Sequence, residues 1–66
     1  MITHFQVHTT EEVTNLLQAV LIHGGCTVAT TADWTETGYI FNIWVNIYSR
    51  QDKDLILKTA AGHKTI

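Results

Sequence analysis

From Tyr39 to Tyr48 the chain alternates without a break between two kinds of side chain, and this pattern does most to limit the fold. Tyr39, Phe41, Ile43, Val45 and Ile47 fall on one side of an extended backbone; Ile40, Asn42, Trp44, Asn46 and Tyr48 fall on the other. A period of two is the mark of a strand with one buried face. A slip of one residue would turn Asn42 and Asn46 into the core, so the register is strongly set. Such a strand needs partners for its backbone groups.

Two neighbouring stretches supply them. Residues 26–34, Cys-Thr-Val-Ala-Thr-Thr-Ala-Asp-Trp, are rich in β-branched residues, and Thr35-Glu-Thr-Gly38 is a short turn with a glycine available for positive φ. Together they predict a hairpin, 26–34 with 39–48. Residues 2–8 alternate as well, with Thr3, Phe5 and Val7 on one side and Ile2, His4, Gln6 and His8 on the other.

The helices announce themselves by their ends. Thr9-Thr-Glu-Glu12 is a capping box, and its two acids suit the positive end of a helix dipole. Val13, Leu16, Leu17, Val20 and Leu21 then form one stripe, and Gly24-Gly25 offers a left-handed cap, so a helix is predicted over 10–23. Ser49-Arg-Gln-Asp52 repeats the start signal. A weaker stripe of Leu55, Ile56, Thr59 and Ala60 runs to Gly62, and 63–66 makes either a short strand fragment, the preferred reading, or a frayed tail.

The order β-α-β-β-α, with an optional final β, predicts an α+β two-layer sandwich of ferredoxin-like type, βαββα(β). Two helices then cover one face of an antiparallel sheet. At 66 residues the chain makes one domain, 1–66, without room for a second core. The expected core is Phe5, Val7, Val13, Leu16, Leu17, Val20, Leu21, Tyr39, Phe41, Ile43, Val45, Ile47, Leu55 and Ile56. A chain this short buries only about 60% of its unfolded surface. It therefore relies on regular packing or self-association, and a homodimer is expected.

Composition narrows the function. The single cysteine, Cys26, forms no internal disulfide and supplies no thiolate set for structural zinc. With net charge −2 and 15% charged residues, the chain lacks the clustered Lys and Arg of a duplex nucleic-acid binder. The longest apolar run, Ala19–Ile22, is far short of the roughly 20 residues of a membrane span, and the first residues show no signal-peptide pattern. Neither duplex nucleic acid nor membrane is expected as a partner, and a cytoplasmic location is expected.

Catalytic and metal constellations are weak. His4 and His8 share a face, but i and i+4 on a strand lie roughly 13 Å apart, too far for one ion. Glu11/Glu12 and Asp52/Asp54 both open helices, where capping accounts for them. Gly24-Gly25 ends a helix, whereas a phosphate cradle needs glycines that begin one. No catalytic residue, metal ligand or cofactor is assigned, and the chain is read as non-enzymatic.

The second face of the sheet is the unusual surface. If the first and third strands are neighbours, His4, Gln6 and His8 lie beside Asn42, Trp44, Asn46 and Tyr48, with Ile2 and Ile40 on the same side. Aromatic and amide side chains gather where a protein must both bury area and form hydrogen bonds. Aromatics on central strands resemble the layout of RNA-recognition domains, although here the first strand offers His, the Gly-Phe-Gly-Phe run is missing and the face has no Lys or Arg. The opening strand–helix–Gly pattern is similar to that of SPOR and ACT modules. The expected function is a protein-interaction module of adaptor, inhibitor or phage accessory type. It binds a protein partner, or itself, through His4, Gln6, His8, Asn42, Trp44, Asn46 and Tyr48. The alternative is a single-stranded nucleic-acid or small-ligand module that stacks bases on Trp44 and Tyr48.

Overall fold

The structure, a computed structural model, describes residues 1–62. The elements are β1 (Ile2–Val7), α1 (Thr10–Ile22), β2 (Cys26–Thr35), β3 (Gly38–Asn46) and α2 (Arg50–Gly62). The three strands form one sheet in the order β1-β3-β2, and both pairings are antiparallel. This is a small α+β fold, consistent with a two-layer sandwich. The strand fragment expected over 63–66 lies outside the described residues.

Local chemistry sets the element ends. Thr9 is the N-cap of α1: its Oγ1 accepts from the Glu12 N–H at 3.1 Å, and its hydroxyl donates to Glu12 Oε1 at 3.3 Å. At the other end Gly24 takes φ +74°, its N–H donates to the Leu21 carbonyl, and the Gly25 N–H donates to the Val20 carbonyl. That pair of bonds closes the helix and turns the chain into β2. A Cβ on Gly25 would stand 3.1 Å from Val20 Cγ1 and 3.3 Å from Val45 Cγ1, so the turn is pressed against the core. For α2 the Asp52 carboxylate reaches back, accepting from the Tyr48 and Ser49 N–H groups at 3.2 and 3.1 Å.

Phe5, Leu16, Ala19, Val20, Ile43, Val45, Ile47 and Ile56 form the buried core, drawn from β1, β3, both helices and the segment after β3. Val7, Val13, Leu17 and Ala60 pack at its margin. Between the helices, His23 Nε2 and Thr59 Oγ1 are hydrogen-bonded at 2.8 Å.

Three expected core residues are exposed. Leu55 lies about 100° around α2 from Ile56, and the inward line runs through Ile56 and Ala60, spaced i and i+4. Tyr39 sits at the hairpin end and pairs with exposed Trp34. Leu21 is 76% exposed, on the outer flank of the α1 stripe.

The helix layer is displaced toward β1 and β3. Every residue of β2 is exposed except Thr35, which is half-buried. No helix among the described residues is long and apolar enough to cross a membrane.

Candidate functional site

The face of the sheet away from the core is built by register. On β1 and β3, Ile2 pairs with Asn46, His4 with Trp44 and Gln6 with Asn42. On β2 and β3, Ala29 pairs with Trp44, Thr31 with Asn42 and Asp33 with Ile40. Opposed residues of an antiparallel pair share a face, so these side chains form one surface. Asp33 is the formally charged side chain in that set.

At its centre the side chains hold one another. The rings of His4 and Trp44 are stacked, with centroids 4.9 Å apart and planes inclined by 24°. His4 Nε2 donates to Asn42 Oδ1 at 2.8 Å, and Gln6 Nε2 donates to the same oxygen at 3.3 Å. Since an amide oxygen only accepts, His4 Nε2 is the donor in this contact. Two donors fill the acceptor sites of that oxygen. Trp44 is half-buried while His4 and Gln6 are exposed, so the indole is held in place by its strand neighbours.

The other sequence-derived residues lie at the ends of this cluster. His8 follows the last residue of β1, past the Val7–Phe41 pair. At the opposite end Asn46 Oδ1 accepts from the Met1 amino group at 2.9 Å. Tyr48 lies beyond β3 and is 85% exposed, with its ring near Gly24. It edges a shallow hollow shared with Met1, Gly24, Cys26 and Asn46. His8 and Tyr48 therefore do not join the Trp44 cluster, because β1 and β3 both stop two residues or less before them.

A second aromatic group lies on the helix side. Trp34 meets Tyr39 edge-on at 4.7 Å, and Tyr39 stacks on Phe41 at 5.8 Å and 27°. Beside it runs a groove lined by Val13 and Leu17 of α1 with Thr30, Ala32, Phe41 and Ile43 of the sheet. The sequence signal for this group was the small size of Thr30 and Ala32, which stand opposite Ile43 and Phe41 and give them no bulky neighbour on the β2 side.

No protein-family model matches the chain, and comparison with curated proteins and with solved structures gave no match.

Proposed function

We propose that the chain is a non-enzymatic interaction module that docks a protein partner on the helix-free sheet face. His4, Gln6, Asn42 and Trp44 form the centre of that surface; Asn46 and Tyr48 border one end and His8 the other. The observation that carries this reading is the stacked and hydrogen-bonded Trp44–His4–Asn42–Gln6 cluster on a face whose strand-paired residues include one charged side chain, Asp33. A tryptophan already stacked on a strand neighbour loses less freedom on binding than a free one, which is what a central anchor requires. Amides around it supply directional hydrogen bonds, and Ile2 and Ile40 add apolar area.

The chain path itself is proposed to be ferredoxin-like. The β1-β3-β2 order with helices after β1 and β3 supports this. Exposed, unpaired Cys26 suits a reducing compartment such as the cytoplasm.

The test is capture of a partner by wild type and by Trp44→Ala, with thermal unfolding of both. Loss of capture by about tenfold or more at near-constant melting temperature supports the reading. Undiminished capture by Trp44→Ala overturns it.

The stacking observation also favours a second reading, binding of single-stranded nucleic acid. Such binding combines base stacking with phosphate neutralisation and weakens as salt rises. One side of the Trp44 ring already faces His4, and the paired residues of this face include no Lys or Arg. At physiological salt, oligonucleotides are therefore expected to leave the fluorescence of Trp44 unchanged. Salt-sensitive quenching that Trp44→Ala abolishes would establish this second reading instead.

A further inference from the structure

We infer that the outer edge of β2 pairs with β2 of a second copy of this chain, joining two three-stranded sheets into one of six strands. The inference concerns a different surface from the Trp44 face and does not depend on it.

β2 is ten residues long and, among the described residues, pairs along one edge only, with β3. The other edge presents a row of backbone donors and acceptors. Natural sheets guard such edges with Lys, Pro or a bulge. Here the register shift at Val28, between Thr27 and Ala29, lies near one end. From Ala29 to Thr35 the ladder is regular, and that stretch has no Lys, Arg or Pro and a single charged side chain, Asp33.

Symmetry narrows the geometry. Antiparallel self-pairing within one sheet places the two-fold axis perpendicular to it, so residues of like facing oppose each other. A pairing centred on Thr31 puts Thr30 opposite Ala32, Ala29 opposite Asp33, and Trp34 opposite Val28. A pairing centred on Thr30 puts Ala29 opposite Thr31, and Asp33 then falls beside the irregular stretch at Thr27 and Val28. Neither brings like charges together.

The same axis sets both helix layers on one side of the joined sheet. Val13, Leu17 and Leu21, spaced i and i+4 along α1, then flank the seam from each copy, and the groove over Thr30 and Ala32 gains a second wall. A foreign strand alone would satisfy the edge but leave that groove open. This is why the occupant is assigned as a second copy. Trp34, Tyr39, Val28 and Leu21 each leave half or more of their surface exposed. Together they offer on the order of 400 Å² per copy. The paired backbone and the Thr/Ala row add to this, toward the roughly 800 Å² per partner of a standard interface.

Sedimentation of the full chain at micromolar concentration tests the inference. Wild type and Trp44→Ala are expected at twice the chain mass. Ala32→Lys is expected at one chain mass with an unchanged circular dichroism spectrum, its dimer dissociation constant raised by about tenfold or more. A monomeric wild type, a dimeric Ala32→Lys, or a dimer broken by Trp44→Ala alone would each overturn it. Should Ala32→Lys fail to fold, amide exchange of wild type decides. Protection of Ala29–Thr35 that rises with concentration supports the seam, and concentration-independent exchange there refutes it.

Discussion

β2 and β3 are the two arms of one hairpin, paired from Thr35–Gly38 to Cys26–Asn46, and yet one belongs to the core while the other lies bare. Along their shared ladder the two are paired residue for residue, although β3 also pairs with β1 on its other edge. Side-chain volume on the helix side differs as well. β3 presents Phe41, Ile43 and Val45 there; the β2 residues opposite them are Ala32, Thr30 and Thr27. The helices settle where burial of large apolar groups is available, above β3 and β1, and β2 is left outside their cover. Hydrogen bonding therefore makes the strand, and packing decides whether it is core.

The largest expected effect strikes the packed arm. Ile43→Ala removes a side chain that is almost fully buried and should cost about 2–5 kcal/mol in urea unfolding. For a domain of this size that is much of the total stability. A loss well below 1 kcal/mol would mean that β3 is no more central than β2.

The junction between the two regimes comes next. Gly24, at φ +74°, turns the chain from α1 into β2, and Gly24→Ala is expected to cost about 1–2 kcal/mol. The loss should show in the same titrations. A neutral result would place the turn in another conformation. At the far end of the same helix, Thr9→Ala removes the hydroxyl that accepts from Glu12 N–H, with an expected loss of about 1 kcal/mol. Retention of full stability would remove the cap from the account.

The smallest effect completes the contrast. Thr30 lies directly across from Ile43, and Thr30→Ala should change monomer stability by no more than about 0.5 kcal/mol. Equal costs at 30 and 43 would abolish the distinction between the arms.

Much of this architecture was legible in the residues. The helix over Thr10–Ile22 followed from its capping box, its stripe and Gly24, all of which act locally. The pairing of His4 and Gln6 with Trp44 and Asn42 followed from alternation, which fixes faces once β1 and β3 are neighbours. Alternation does not tell where a strand stops. His8 and Tyr48 continue the pattern on paper but fall past the last ladder pairs, so the compact cluster holds four residues of the seven. Exposure of Leu21 and Tyr39 was also hidden, since each fits its own stripe. Only the lateral position of the helix layer, a tertiary property, leaves them uncovered. The bareness of β2 has the same origin, and β-branched composition gave no sign of it.

The uncovered surface of this small domain is proposed to serve binding, and its covered surface folding. Trp44→Ala, assayed side by side for partner capture and for melting temperature, tests it most directly. The account predicts that capture falls by about tenfold or more while melting shifts by only a few degrees. A variant that unfolds but whose folded fraction still captures the partner would show that Trp44 belongs to the core and that the claim is wrong.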